Sequence, residues 1–512
     1  MCYGWRAGKI QGLQYLQATK NSGYQRETIF VVDEKTGENV SASAQDSHIK
    51  IYRRPRTSFR LIKDRSRIAK DLAQRGSRQK IPFPSNALLP INEVHHNLAF
   101  RQQFLGQFLS TYVPDSNSAA LGGPLHGTTW LVLIPGLAEL TKALDSSLLS
   151  ISIARLSRMK GDQQLLLDSL KFYGQGLRDL QQALQDPALM YREETLAACM
   201  ALSMYEVVEC STESRIGWAS HSDGCARLIR LRGAAAHASG LAHQVFLSFR
   251  TQGIIKAIQD RRSTYLADPE WTTQVWKEIP KTPLDQLLDI MAGLPSVLEL
   301  ADQIQGRKAR IPLLLQVINS CWNLDVIFQN FDEQFRNKFS SPLYRPEFST
   351  LPNDADDTEF GKVFPIAFRF VDLQTAHICM LYWTSLIILW SNLGDMYRLI
   401  DSMQSTNHPE LDEINGDMCS QISQLRPFGQ RIEQVSLARN ICQSIEFCLR
   451  DEFRAFGAGI IVIPLYISIL TFEQHPECAR EIAWTKKVIN NVEEKGFRIT
   501  KYFDRDSPVD RS

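Results

Sequence analysis

Apolar residues recur along this chain at the spacing of an α-helix, and this periodicity constrains the fold most. Six of them follow one another at steps of four, three, four, three and four residues: Leu166, Leu170, Tyr173, Leu177, Leu180 and Leu184. Such steps place every member on one face of a helix. The helix is predicted to end at Asp186-Pro187, because proline lacks the N–H group that a continuing helix needs.

The same periodicity predicts helices through most of the chain beyond Pro90. One begins near Glu193, and the others are predicted over residues 217–233, 244–262, 284–294, 311–330, 371–400, 427–451 and 459–472. Pro295 is expected to stop the helix that precedes it, and the charged segments 340–362 and 407–417 are predicted loops. Alternating strand patterns are scarce. The predicted fold class is therefore all-α, a multi-helix array or bundle.

The net charge of +1 conceals a strongly basic segment near the N-terminus. Residues 50–80 contain twelve Lys or Arg and two Asp, a local balance of +10, so the remainder is mildly acidic. The densest part of this arm contains Arg53, Arg54, Arg56, Arg60, Lys63, Arg65, Arg67 and Lys70. Such density is typical of a nuclear-import or phosphate-contacting segment, and a solvated linker is the alternative. An arm of this kind gives only salt-sensitive, sequence-independent binding to DNA.

Composition divides the chain into four predicted regions. These are a poorly structured N-terminal remnant over residues 1–49, a basic linker over 50–90, a helical domain over 91–500 and a tail over 501–512. The ten cysteines are spread along the chain and mostly lie in apolar segments, as expected for reduced, buried thiols of an intracellular protein.

No membrane segment is predicted. Residues 1–20 lack the continuous apolar core of a secretory signal. The 17-residue uncharged run over 456–472 is just short of a comfortable membrane span and is divided by Pro464. A buried core helix is the favoured interpretation of this run.

Residues 217–233 carry the pattern that points most directly to a function. Four of their side chains recur on one helical face: Trp218, His221, Cys225 and Leu228. Gly233 stands where a helix C-cap is expected, and small residues at 219 and 224–226 permit a neighbouring helix to approach closely. The pattern resembles the signature of the regulatory domain of fungal zinc-cluster transcription factors, through Gly217, Trp218, His221, Gly224, Arg232 and Gly233.

Four further elements resemble the same family and follow in the family's order. They are residues 201–206, residues 261–266 with Trp271, residues 280–295, and residues 438–448 with Gly457, Gly459, Pro464 and Leu465. Together they extend the resemblance over roughly residues 130 to 490. The resemblance implies a nuclear, all-helical regulator of a metabolic or secondary-metabolite gene set. It also implies homo- or hetero-oligomers with other regulators, and a small-molecule effector or a partner that supplies the signal.

The resemblance departs from the family at the N-terminus. Zinc-cluster factors bind two zinc ions through six cysteines, whereas this chain has Cys2 and then none until Cys199. Residues 23–31 nevertheless resemble the tail that follows the last zinc cysteine, and Asn21 stands about where that cysteine would be. Two explanations remain open: a gene model that begins too late or misreads an exon, or a true loss of the finger. No cofactor is predicted, and DNA contact is expected to be weak or to occur through a partner.

Other functions are weighed against this interpretation. The first alternative is a fingerless helical binding or scaffold protein that modulates a full-length regulator. An enzyme is the remote alternative, because Asp354, Asp356 and Asp357 match the acid motif of protonation-initiated terpene cyclases. That motif lies in a polar segment, where burial would not raise the pKa of an acid. Spacing also permits metal sites at His221 with Cys225, where two further ligands are missing, and at Asp285 with Asp289. We therefore predict no enzymatic activity.

Overall fold

Helices form nearly all of the regular structure. The computed structural model describes residues 98–114, 127–137, 139–209, 215–306, 310–357, 359–405, 416–429, 433–494 and 496–502. The predicted remnant over 1–49, the basic linker over 50–90 and all but two residues of the tail over 501–512 lie outside these ranges.

The described helices follow one another with short connections. In chain order they are α1 Leu98–Tyr112, α2 Thr129–Leu133, α3 Lys142–Lys160, α4 Gln163–Gln185, α5 Pro187–Met190, α6 Glu193–Glu209, α7 Ile216–Arg232, α8 Gly240–Asp260, α9 Pro269–Thr273, α10 Pro283–Met291, α11 Leu294–Asp302, α12 Ile311–Arg336, α13 Leu373–Ser405, α14 Gly416–Ser423, α15 Gln434–Cys448, α16 Arg454–Ile460, α17 Val462–Phe472 and α18 Ala479–Glu494. Two antiparallel strands, β1 Tyr344–Phe348 and β2 Ile366–Phe370, form the single sheet of the described ranges. The all-α prediction is confirmed.

Local capping chemistry sets the connections between helices. Gly161 ends α3 with φ +64°, a left-handed conformation that glycine adopts at little cost. Asp162 then begins α4, because its carboxylate accepts hydrogen bonds from the backbone N–H groups of Gln164 and Leu165 at 2.9 and 3.2 Å. Only these two residues separate α3 from α4, and the two helices pack against each other. The periodicity of residues 166–184 is thereby confirmed as one helix.

The 33-residue helix α13 lies in the centre of the packed helices. It contacts α12, α15 and α17, and most of its side chains are buried. By length and hydropathy α12 and α13 are each long and apolar enough to cross a membrane, and α16 with α17 is a third candidate if the bent pair is one span. Within the protein, 89% of the most apolar window of α13 and 56% of that of α12 are buried. The chain folds these apolar segments into its own core.

The apolar run over 456–472 is buried as predicted, but it forms two helices rather than one. α16 and α17 meet at Ile461 with a bend of 53°. Pro464 explains the break, because its ring would collide with the carbonyl of Ile460 four residues earlier in a continuous helix. The expectation of a single helix over 459–472 was wrong.

Two other expectations need correction. Pro295 does not terminate a helix; it lies in the first turn of α11, where its missing N–H group has no intrahelical partner to lose. The segment 340–362, predicted to be a loop, contributes strand β1, which pairs with β2. Aromatic stacking of Tyr344 on Phe368, with ring centroids 4.4 Å apart, accompanies this pairing. A charged, short strand of this kind lacks the alternation that sequence patterns detect.

We predict that Gly457→Ala lowers the free energy of unfolding by about 1–3 kcal/mol, the range for an overfilled core. A Cβ atom at this buried position of α16 would lie 2.2 Å from the carbonyl oxygen of Cys448, so backbone must move. Gly106→Ala is the matched control, because a Cβ atom there meets nothing within 4 Å. It should raise stability by about 0.5–1 kcal/mol through helix propensity. Urea unfolding followed by circular dichroism separates the two, and equal shifts would contradict this packing.

Candidate functional site

The signature helix α7 packs closely against α6, and two glycines permit this. A Cβ atom on Gly217 would lie 2.5 Å from the carboxylate carbon of Glu206. A Cβ atom on Gly224 would lie 3.3 Å from the Cys199 sulfur. The prediction that small residues in this helix allow a close neighbour is confirmed.

His221 belongs to a polar network between α4, α6 and α7. Its Nε2 lies 3.0 Å from the Tyr173 hydroxyl, which donates a hydrogen bond of 2.5 Å to the buried carboxylate of Glu206. The Tyr173 ring stacks on Tyr205 with centroids 4.5 Å apart. Within the described residues no group of three or more His, Cys, Asp or Glu side chains is placed to hold a metal ion. The geometry gives His221 a hydrogen-bonding role in the packing of the three helices.

The cysteines of this region are buried thiols. The Cys199 thiol lies 3.6 Å from the carbonyl oxygen of His221, to which it donates. A hydrogen bond with the Cys225 thiol lowers the pKa of Cys199, while the same pairing raises the pKa of Cys225. Seven cysteines within the described ranges are free and buried, as predicted for reduced thiols.

The end of the signature helix is fixed by Arg232 and Gly233. Gly233 has φ +77° and its N–H donates to the carbonyls of Ile229 and Arg230 at 3.2 and 3.1 Å, so the predicted C-cap is confirmed. Arg232 donates to the carbonyl of Tyr191 ahead of α6. Both residues therefore connect α7 to its neighbours in the chain and in space.

Two buried histidines follow this cap. The Nδ1 atom of His237 lies 3.3 Å from the Ala242 carbonyl, and that of His243 lies 2.8 Å from the His237 carbonyl. Burial lowers the pKa of His237 to about 4 and also lowers that of His243. Both side chains are therefore neutral in the folded protein at neutral pH.

A buried ion network joins α8 to α10. The guanidinium of Arg250, 1% exposed, contacts the carboxylate of Asp285 at 3.1 Å and also pairs with Asp289. Lys281 pairs with the same Asp289, and the Arg250 guanidinium carbon lies 5.0 Å from the centre of the Trp276 ring. Both carboxylates considered as magnesium ligands are thus engaged by cations. Their role in this structure is to neutralise a buried arginine.

An apolar cavity of about 230 Å³ lies beside these helices. Trp218 of the signature helix, 9% exposed, forms part of its wall, opposite side chains of α6, α16 and α17. One face of α8 supplies most of the polar lining: Ser248, Thr251, Gln252 and Gln259. Concave, mostly apolar sites with a few polar groups are the usual form of a small-molecule site. This cavity is the candidate functional site.

Cavity residues come from distant parts of the chain. Arg250 points away from most of the polar lining, since residues 248, 252 and 259 lie about 160–180° around α8 from it and residue 251 about 100°, at 100° per residue. His377 of α13 contributes to the wall, and so do Phe497 and Ile499 beyond α18. The Phe497 ring approaches Gly459 so closely that a Cβ atom there would lie 3.0 Å from it.

The acidic motif considered for an enzyme lies elsewhere. Asp354 is 79% exposed and pairs with Lys487, while Asp357 pairs with Arg480. Asp356 accepts a hydrogen bond from the backbone N–H of Val363 at 2.9 Å. None of the three carboxylates lines the cavity. Asp354 and Asp357 are thus engaged by cations and Asp356 by a backbone N–H group, in a segment away from the cavity.

Comparison with known proteins identifies the family. Residues 106–359 match the family described as the fungal specific transcription factor domain. The chain belongs to this family, which confirms the resemblance for the four motif elements within the match; the element at residues 438–448 lies beyond it. The match contains α7, α8 and α10. It ends between β1 and β2, so its end divides the two-stranded sheet.

An uncharacterized protein of Emericella nidulans is 27% identical to this chain over 134 residues. The alignment covers 26% of this chain and 28% of the relative, so the chain spans well under two thirds of that protein. No solved structure matches the chain.

The structure reveals site residues that the sequence analysis did not select. Arg250 and the polar face of α8 were read only as part of a helix, and the resemblance placed the family's arginine-rich helix end at Arg261 and Arg262 instead. Those two residues pair with Asp302 and Glu299 on α11 near the surface. An arginine directly after the mostly apolar residues 245–249 was the available signal. The basic arm from Arg53 to Lys70 lies outside the described residues, and its role stays a prediction.

Arg250→Met should lower the free energy of unfolding by about 3–5 kcal/mol, because it leaves the Asp285 carboxylate buried without its cation. Arg262→Met is the matched control, since Arg262 is 75% exposed and its pair with Glu299 should contribute less than about 1 kcal/mol. Denaturant titration of both variants tests this. A loss of less than about 1 kcal/mol for Arg250→Met would show that the network does not hold α8 to α10.

Stability should fall as the pH is lowered from about 6.5 to 4. A pKa near 4 in the folded state against about 6.5 in the unfolded state means that only the unfolded chain gains a proton at His237 in this window. At the low-pH end, His237 alone should lower the free energy of unfolding by about 3 kcal/mol. His237→Leu should shrink the difference in unfolding free energy between pH 7 and pH 4.5. An unchanged difference between the two pH values in His237→Leu would refute the assignment.

Proposed function

We propose that this protein is a nuclear regulator of transcription whose helical body controls a metabolic or secondary-metabolite gene set, and that it is not an enzyme. The family match over residues 106–359 carries the proposal. The packing of the signature helix supports it, since Gly217, Trp218, His221, Gly224, Arg232 and Gly233 all take part in one ordered arrangement. The body receives a signal, from a small effector or from another regulator with which it oligomerises.

Contact with DNA is proposed to be electrostatic or indirect. The basic arm provides phosphate contacts and nuclear import, and its density of Arg and Lys supports both roles. Residues 3–198 contain no cysteine, so the chain as given has no thiolates there for a zinc cluster. Sequence-specific promoter recognition is proposed to depend on a zinc cluster outside residues 1–512 or on a partner that carries one.

The second candidate is a fingerless binding or scaffold protein. A helical protein that keeps the regulatory fold without a zinc cluster can pair with a full-length regulator and modulate it. In this case the protein acts as a binding or scaffold protein, and its effect on promoters is exerted through the occupancy of its partner.

Neutralising the arm with Arg53→Gln, Arg54→Gln, Arg56→Gln and Arg60→Gln should reduce both nuclear accumulation and promoter occupancy several-fold. The control removes four charges from the exposed surface of the body: Lys171→Gln, Arg262→Gln, Arg369→Gln and Arg398→Gln. Fluorescence microscopy and chromatin immunoprecipitation of the tagged full chain, with transcript profiling of a deletion strain, provide the measurements.

The outcomes separate the two candidates. Promoter occupancy together with transcript changes supports the regulator. Coprecipitation of a zinc-cluster protein whose own promoter occupancy rises when this gene is deleted supports the modulating partner. Unchanged transcripts in the deletion strain, with no occupancy and no such partner, would overturn both.

A further inference from the structure

We infer that the cavity binds an uncharged, mostly apolar compound of two fused rings that presents a hydroxyl or carbonyl oxygen to α8. This rests on the proposed function, in which such a ligand would be the signal, but the binding itself is tested without transcription. Three features of the cavity lead to this ligand class: its size, the division of its walls, and its charge.

Size limits the ligand to a small molecule. The cavity volume is about 230 Å³. A cavity of about 150 Å³ lined by aliphatic and aromatic side chains is known to accept benzene. The larger volume here fits a bicyclic compound of roughly 10–14 non-hydrogen atoms, judged against that benzene reference. A peptide helix is too large for this space.

The apolar walls come from three sides. Met200 and Met204 of α6 face the cavity together with Phe456 of α16 and Phe497 beyond α18. Methionine side chains adapt their shape and make favourable contacts with aromatic rings. Such walls favour a flat aromatic or alicyclic body.

The polar wall is a single stripe on α8. Thr251, Gln252 and Gln259 line the cavity from one side of this helix. The Gln252 amide nitrogen donates to the Ser203 hydroxyl at 2.7 Å, which directs the amide along the wall and leaves its oxygen as an acceptor. In the described part of the chain the Thr251 hydroxyl and the Gln259 amide have no hydrogen-bond partner. These groups are half-buried and have little access to water. A ligand oxygen placed against the stripe would provide them with a hydrogen-bond partner.

The charge of the lining excludes cations. None of the described lining residues is a carboxylate, and Arg215 brings a permanent positive charge. An ammonium group would find no counter-ion among the described lining residues, so its burial has a high cost in desolvation. Arg215 already takes part in an interaction of its own. The stripe on α8 consists of neutral hydroxyl and amide groups, so an oxygen placed against this stripe is matched when it is uncharged.

Isothermal titration calorimetry on the purified full chain tests the inferred ligand class with four probes that share the naphthalene ring system. 2-Naphthol should bind, naphthalene should bind more weakly, 2-naphthoate should bind more weakly than 2-naphthol, and the protonated 2-naphthylmethylamine should not bind detectably. Thr251→Val keeps the side-chain shape and removes the hydroxyl, and it should weaken 2-naphthol binding about two- to tenfold. It should leave naphthalene binding unchanged.

Matched variants control for effects on folding. Thr272→Val makes the same change on α9, outside the cavity lining, and should bind 2-naphthol like the parent. Ile255→Trp fills the cavity and should abolish binding of every probe, while Ile216→Trp, at a 39% exposed position of α7, should not. If Ile255→Trp fails to fold by circular dichroism, the Thr251 and Thr272 pair decides.

Several results would overturn the inference. These are no binding of 2-naphthol to the parent chain, binding of the ammonium probe or of 2-naphthoate at least as tight as that of 2-naphthol, or equal binding by the Thr251→Val and Thr272→Val variants. A chain that binds none of the probes but still controls transcripts would refute the ligand and leave the proposed function intact. Binding of 2-naphthol without any effect on transcripts would support the ligand and count against the proposed function.

Discussion

The buried Arg250 guanidinium fixes the rotation of α8, and the candidate site depends on that rotation. Its pairing with Asp285 and Asp289 directs one side of the helix towards α10. The opposite side, with Gln252 and Gln259, then necessarily lines the cavity. An unpaired arginine at this depth would be very unfavourable, so the network tolerates few alternatives in the orientation of the helix. The buried charge thus restricts α8 to one orientation against its mostly apolar neighbours.

The helical body extends beyond the segment that defines the family. Residues 106–359 match the family, yet the described residues of the main apolar core extend from Leu105 to Ile499. The central helix α13 and the bent pair α16–α17 lie outside the match and supply part of the cavity wall. An isolated 106–359 fragment would therefore expose apolar faces that the C-terminal helices cover. In physical terms the packed unit is the whole helical body.

Features governed by neighbours in the chain were predictable. The helix over 163–185, the C-cap at Gly233 and the end of α4 at Asp186 follow from propensity, periodicity and capping within one or two turns. Errors occurred where a local signal has two meanings. Pro295 both ends and begins helices, and Pro464 breaks a helix that its apolar composition suggested was continuous. The strand β1, with a proline at its centre, has no recognisable alternation.

The sequence by itself determined the helical class, the burial of the thiols in the described part of the chain and the family, because periodicity, composition and ordered motifs are all read along the chain. Only the tertiary structure decided that His221 bonds to Tyr173 on α4, that Asp285 neutralises Arg250, and that a cavity opens beside Trp218. The two side-chain contacts join residues at least 35 positions apart in the sequence. The cavity takes its walls from five or more helices. Such contacts depend on how helices cross and rotate, which a one-dimensional pattern does not encode.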